Sequence, residues 1–308
     1  MPNNYYDVVI LGAGAAGYTS AIYAARAGLN LLLVAGPMKG GQLLYTHHIQ
    51  NFPAFTGISG LDLVDKLEEQ VRSLNVPIEN ETATNVDFNQ RPFTITLSNQ
   101  NQVWADSLIV ATGSNPRWLG IPTEDKFKGQ GISVCATCDG YFYKNKTVVV
   151  IGGGNTALYE ALFLTSFAEH IYIINRDDKF TGERKLTQDV LSNNKISVYF
   201  NSEVVRFDGD KKLSSVVIKN NKLEEEETLN VDGAFVAIGY APNSQLFNGK
   251  LALTEGGYIQ TNDKKETSVS GVFAAGDVQE PIFKQAIIAC GSGAMAAMSA
   301  ERYLSGKK

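Results

Sequence analysis

Cysteine and histidine are scarce in this chain, three of each in 308 residues. Three thiols cannot staple a disulfide scaffold of this size. A basic excess is also missing. Lysine and arginine number 27 against 32 aspartates and glutamates, a net charge of −5, so nothing favours a phosphate backbone or an anionic membrane as partner. The Glu224 to Glu227 run reads as a solvated turn. Long apolar runs are lacking too: Leu31 to Ala35 and Thr147 to Ile151 fall far short of the roughly 18–20 residues that span a bilayer. The start, Met1 to Asp7, has neither the basic region nor the apolar stretch of a secretory signal, which leads us to expect a cytoplasmic chain. What is present, 44% hydrophobic and 19% charged residues, fits a globular enzyme, and the length fits two domains of about 100–200 residues each.

The chain repeats itself. The apolar run Asp7 to Leu11 is followed by the turn Gly12-Ala13-Gly14-Ala15-Ala16-Gly17, an alanine-rich helical stretch to Ala27, and a second run, Leu31 to Val34. The pattern recurs as Thr147 to Ile151, the turn Gly152-Gly153-Gly154-Asn155-Thr156-Ala157, a helix through about Phe167, and the strand Ile171 to Ile174. Each turn closes a strand and opens a helix, which aims backbone N–H groups and the positive helix end at a pyrophosphate. Gly17 and Ala157, in the third position, are small enough for close helix–strand packing. Two such units predict an α/β protein with two Rossmann-like, three-layer dinucleotide-binding domains.

An acid at the end of the second strand would read a ribose hydroxyl, but the first unit offers Ala35-Gly36-Pro37. The second offers Asn175-Arg176-Asp177-Asp178, where Arg176 suits a 2′-phosphate and Asp177 opposes one. Further strands, Ser107 to Val110 and Ala234 to Ile238, run into turn-rich segments, placing crossings between domains near Ser114 to Gly120 and Gly239 to Asn248. The second domain is therefore inserted in the first. The strand Gly271 to Ala275 ends in Gly276-Asp277, ahead of a small-residue helix from Gln285 to Leu304, and Asp277 is placed to accept a hydrogen bond from a polyol.

Cys135-Ala136-Thr137-Cys138-Asp139 precedes the second unit. Zinc would need further ligands, and Cys290, His47, His48 and His170 are scattered. A static disulfide would close a loop too small to constrain the unfolded chain much. A redox dithiol has the right spacing and is the leading reading, with the other two as rivals. Asp139 is a candidate proton donor or acceptor, or else a turn carboxylate. Cys290 reads as a buried inert thiol, and Trp104 and Trp118 as packing residues. No metal site is expected.

These segments, with Gly40-Gly41-Gln42, Asn51-Phe52-Pro53, Ala111-Thr112-Gly113, Gly140-Tyr141-Phe142-Tyr143 and Gly276-Asp277-Val278, resemble the bacterial-type low-molecular-weight thioredoxin reductases, class II pyridine nucleotide-disulfide oxidoreductases, from Asp7 to Leu304. The resemblance implies FAD on residues 1–116 and 246–308, with Gly12, Gly14, Ala15 and Gly17 at its pyrophosphate. Gly41, Gln42, Asn51, Thr112, Gly113, Asp277, Lys284, Gln285 and Ala286 are its other implied contacts. It implies NADPH, or NADH, on residues 117–245, at Gly152, Gly154, Asn155, Thr156, Ala157, Asn175 and Arg176. Cys138 would be the sulfur beside the flavin, Cys135 the one that attacks thioredoxin, and Asp139 the acid. A homodimer is implied, whose inserted domain swings between two arrangements.

Two departures stand out. Asn175 to Thr181 keeps one arginine of the three that usually read the 2′-phosphate, with Lys179 or Arg184 as substitutes, and Lys284 replaces an arginine. Ferredoxin–NADP reductases of similar architecture lack the Cys-x-x-Cys. Peroxide-system reductases add a dithiol domain for which there is no room. A reductase fed by ferredoxin or another donor, a dithiol oxidase of the same fold, and a non-enzymatic redox sensor stay as alternatives.

Overall fold

The computed structural model describes residues 4–36, 38–46 and 48–306; Met1, Pro37 and His47, which entered the sequence reading, lie outside the described residues. The chain divides into two compact units, Met1–Asn115 with Ala241–Lys308, and Pro116–Tyr240.

In the first unit the strand Tyr5–Leu11 lies between Leu31–Val34 and Gln102–Val110, parallel to both, with Val8 opposite Leu31 and Ser107. Gln102–Val110 serves two further partners. Its first half pairs antiparallel with Phe93–Leu97, and its last residues pair parallel with Val272–Ala274. The burial pattern explains the split: residues 102–106 alternate between solvent and core, whereas 107–110 are buried on both faces. An apolar run alone therefore marks the second half of this strand, and the first half is an addition to the sequence reading. Val8, Ile10, Leu31 and Leu33 face a helical layer through Tyr18, Ala21 and Ala297, while Val9, Leu11, Leu32 and Val34 face Phe93, Ile95 and Leu97. The helical layer is tight. Gly293 of the Ala286–Ser305 helix sits where a Cβ would lie 2.3 Å from the Ala16 carbonyl oxygen, and Ser20 Oγ donates to the Ala16 and Gly293 carbonyls.

The second unit carries a parallel sheet in the order Ile196–Tyr199, His170–Ile174, Thr147–Ile151, Gly233–Val236, Ile132–Ser133. On one face Val148 and Val150 meet Ala157, Leu158 and Ala161 of the Asn155–Leu164 helix. On the other, Val149 and Ile151 meet Phe207, Val216 and Leu229 of an antiparallel meander, Ser202–Gly209, Leu213–Asn220 and Glu226–Asn230. Both units are thus three-layer, Rossmann-like α/β folds, the second inserted in the first. Two boundaries need correction. The helix stops at Leu164 rather than near Phe167, because Thr165 Oγ1 donates to the Leu162 carbonyl at 2.7 Å and the next residues form turns. The Glu224 to Glu227 run is solvent-exposed, but Glu226 and Glu227 belong to the meander's last strand and pair with Lys219 and Ile218.

Candidate functional site

Two glycine turns and one cysteine pair are the candidates for the chemistry. In the first unit Gly12 has φ +107°, and a Cβ there would meet the Ala111 carbonyl oxygen at 2.3 Å; at Gly17 a Cβ would lie 1.7 Å from the Gly12 carbonyl oxygen. Both glycines are required by packing. Gly14 differs: it precedes the Ala15–Arg26 helix in extended conformation, and a Cβ there would meet nothing within 4 Å. That helix starts with no side-chain cap and no acid in its first turn, and Tyr18 N–H is the one that bonds back to the Gly14 carbonyl. Its opening amides therefore present partial positive charge and unpaired donors, the arrangement that holds a pyrophosphate.

Other candidates of this unit gather at the same turn. Gly40 N–H donates to the Ala13 carbonyl at 2.8 Å, which brings Gly41 and Gln42 alongside. Thr112 Oγ1 donates to the Asn243 carbonyl and Asn243 Nδ2 to the Thr112 carbonyl, fixing the Thr112–Gly113 loop. Asn115 links Gln42 to Asn243 through side-chain amides at 3.0 and 3.1 Å. A Cβ on Gly276 would touch Ala16 Cβ at 2.8 Å, so Asp277 stands by the start of the first helix. Among the described residues the Asp277 carboxylate accepts no hydrogen bond; burial pushes its pKa up to about 6, Lys284 pulling it down and Glu280 adding to the rise. A half-buried carboxylate without a donor suits a ligand hydroxyl, and this is the observation that fits the unit to a flavin dinucleotide. Asn51 Nδ2 donates to Gln285 Oε1 at 3.1 Å, and Gln285 begins the Ala286–Ser305 helix. Lys284, with φ +41°, lies 5.1 Å from the Tyr258 ring centre, its ammonium pKa lowered by burial.

The second turn repeats the geometry with one addition. Gly152 has φ +139°, and a Cβ there would meet the Ala237 carbonyl oxygen at 2.5 Å. Gly154 precedes the Asn155–Leu164 helix, again uncapped, with Leu158 N–H the donor to its carbonyl. Asn155 and Thr156 are exposed at the helix start, while Ala157 is buried. Asn155 Oδ1 accepts from Glu183 N–H at 2.7 Å, which fastens a second loop over the turn. Asn175 is buried, and its Nδ2 donates to the Asp177 and Lys179 carbonyls, so it shapes the 175–179 loop. Arg176 stays at the surface, its Nε 3.8 Å from Asp177 Oδ2.

Cys135 and Cys138 form a disulfide with Cα atoms 5.3 Å apart, at the start of the four-residue helix Ala136–Asp139. Paired this way, the two sulfurs are not thiolate ligands for zinc. The Cys138 and Asp139 N–H groups both donate to the Cys135 carbonyl, and Ser133 Oγ accepts from Cys135 N–H at 3.1 Å. Cys138 is exposed, Cys135 and Asp139 half-buried. Exposed aromatic residues follow the pair in sequence, Tyr141 at 61% and Phe142 at 42%, and the Tyr141 ring packs edge-on against Phe167. Cys290 lies elsewhere, in the first unit, where its thiol donates to the Ala15 carbonyl and burial raises its pKa.

One group went unread in the sequence. Glu160 sits in the Asn155–Leu164 helix with its Oε2 buried and without a hydrogen-bond partner, and the Ala136 N–H, between the two cysteines, pulls the pKa of its carboxyl down against the rise from burial. The sequence does carry a signal for it. Ala157, Glu160, Ala161 and Leu164 share one helical stripe, and three of the four are buried apolar residues.

The chain matches the model of the pyridine nucleotide-disulphide oxidoreductases over residues 6–293. It is 43% identical to the thioredoxin reductase of Buchnera aphidicola subsp. Acyrthosiphon pisum, covering 96% of each chain, and 42% identical to that of Rickettsia conorii, covering 96% and 97%. The chain belongs to the thioredoxin reductase family. Among solved structures, thioredoxin reductase from Giardia duodenalis superposes with a TM-score of 0.95 at 35% identity, covering 98% of this chain and all of that one. Membership agrees with two glycine turns, one per unit, and a disulfide in the inserted unit. Among the described residues no helix is long and apolar enough to cross a membrane.

Proposed function

We propose that the chain is a thioredoxin-disulfide reductase, working in the cytoplasm as a homodimer and drawing on NADPH, with FAD held by the first unit and the nucleotide by the second. The observation that carries this reading is the Cys135–Cys138 disulfide, with Cys138 exposed, in the same unit as a nucleotide-type glycine turn. When bound, a nicotinamide would supply a hydride, and a flavin would supply the electron pair for a disulfide.

The chain's own residues bind, orient and move protons. Main-chain N–H groups from Gly14 to Gly17 hold one pyrophosphate, and those from Gly154 to Ala157 the other. Asp277 takes a polyol hydroxyl of the flavin, with Gly41, Gln42, Asn51, Thr112, Gly113 and Lys284 to Ala286 about it. Arg176 meets the 2′-phosphate. Because Asp177 already engages it, NADH is accepted as well, with NADPH modestly preferred. Once the pair is reduced, a Cys135 thiolate attacks one sulfur of the thioredoxin disulfide, and the other leaves as a thiolate. Cys138 resolves the mixed disulfide and closes the Cys135–Cys138 bond again. Asp139, next in sequence to Cys138, serves as the acid that protonates a departing sulfur. The homodimer draws support from exposed apolar side chains along the C-terminal segment, Ile282, Phe283, Ile287, Ile288, Met295 and Met298. The intact second glycine turn favours a pyridine nucleotide over ferredoxin as donor.

Serine at either cysteine tests the order of events. Cys135→Ser and Cys138→Ser are each expected to abolish thioredoxin reduction while NADPH still bleaches the flavin band, since the pair stands downstream. Thioredoxin turnover at the parent rate in either variant sinks the proposal, as does a flavin band that neither nucleotide bleaches in the parent protein.

A further inference from the structure

Glu160 lies outside the machinery described above, yet it underlies the redox segment. Ala136 is fully buried in the same cluster as Ala157, Ala161 and Leu164, and a Cβ on Gly140 would stand 3.0 Å from Leu164. Small residues on both sides let the cysteine segment settle onto the Asn155–Leu164 helix. The Glu160 carboxyl then reaches the Ala136 N–H, the first amide of a helix whose N-cap residue, Cys135, gives no side-chain cap. Its Oε2 is left buried without a partner.

We propose that Glu160 is a positioning residue that couples a proton to the Cys135–Cys138 redox change, because its carboxyl, held at the peptide between the sulfurs, binds a proton more tightly once the disulfide has become a thiol and a thiolate. Two electrons break the S–S bond. One sulfur takes a proton and the other is left as a thiolate, whose charge falls beside Glu160. Where Glu160 was ionised in the disulfide form, it then takes up a further proton. Burial already pushes its pKa up to about 8, the Ala136 N–H pulling it down and Asp139 adding to the rise. Asp139 is the charged group that bears on it. The Arg184–Leu191 helix and the strands Thr147–Ile151 and His170–Ile174, packed on the same helix, add no further charge that does so among the described residues.

The inference rests on the pair being a redox dithiol, and the test separates the two. The full-length protein and Glu160→Gln are equilibrated with dithiothreitol, which supplies the electrons as it closes to its ring disulfide, from about pH 6.5 to 9.5. Alkylation and mass spectrometry of the Cys135–Cys138 peptide give the reduced fraction. The two proteins should run parallel below about pH 8. Above it the parent should lose reduced fraction by up to about tenfold more per pH unit, roughly 30 mV, because it binds one more proton per electron pair. Superimposed curves overturn the role of Glu160 and leave the dithiol reading intact. A pair that does not cycle reversibly overturns both. Should the glutamine variant fail to fold, Glu160→Met removes the titrating group and the unpartnered oxygen together, and the same comparison is read on it.

Discussion

A half-buried carboxylate without a donor is costly, and on the proposed reading Asp277 finds its partner in a hydroxyl of the flavin. Its pKa, raised from 3.8 to about 6 by burial, means that below about pH 6 the ligand-free site holds a neutral acid. A polyol hydroxyl donating to the carboxylate favours the charged form and lowers that pKa on binding. Binding therefore releases a proton in this range. FAD affinity should be level above about pH 6 and fall as pH drops through it, by up to about tenfold per unit. Asp277→Asn should bind FAD about ten- to hundredfold more weakly at neutral pH, the worth of a charged hydrogen bond, with a flat profile at lower pH. Fluorescence titration of the flavin-stripped protein with FAD reads both. An unchanged slope in the asparagine variant would remove Asp277 from the ribityl contact.

At the scale of elements, glycines in one turn answer to different forces. Gly17 is there for the fold, since a methyl group would drive into the Gly12 carbonyl with no flexible side chain to yield. Gly14 has open space and an ordinary φ of −86°, so the fold does not need it. Gly17→Ala should lower stability by about 1–3 kcal/mol or more and bind flavin poorly. Gly14→Ala should keep or slightly raise the melting temperature of the flavin-free protein, yet lose FAD affinity, because its methyl group occupies the approach to the helix end. Thermal unfolding with and without FAD separates the two variants, and equal losses of stability would refute the distinction. The same turns show what a sequence can reveal. Both βαβ units were legible, because runs buried on both faces and glycines at fixed spacing are local signals. The strands Ala83–Asp87 and Phe93–Leu97 and the meander over residues 202–230 went unread, since their half-exposed alternation is weak and their partners lie far off in sequence. Glu160 stayed hidden for a similar reason. Its meaning depends on Ala136 packing onto its helix, and no spacing within either segment announces that contact.

At the scale of the whole molecule, each unit owns its cores: Val8, Tyr18, Ile109 and Phe273 are packed together in the first, and Val148, Leu158, Ile171 and Phe235 in the second. A ligand that binds one folded unit raises the opening free energy of that unit by RT ln(1 + [L]/Kd), about 2.7 kcal/mol at a hundredfold excess over Kd. Exchange of the amides that need this opening then slows about a hundredfold. FAD should therefore protect peptides from residues 4–115 and 241–306, most strongly around Gly12 to Gly17 and Asp277. NADPH should protect peptides from residues 116–240, most strongly around Gly152 to Ala157. Hydrogen exchange read by mass spectrometry, on flavin-stripped protein for FAD and on flavin-loaded protein for NADPH, maps each effect without assuming that the units unfold separately. Because NADPH would reduce a bound flavin, the NADPH arm is run with NADP+ as the non-reducing ligand. Protection by the nicotinamide nucleotide confined to the first unit, or by FAD confined to the second, would reverse the assignment of cofactors to units. It would also leave the Cys135–Cys138 pair in the unit that binds the flavin rather than the nicotinamide nucleotide.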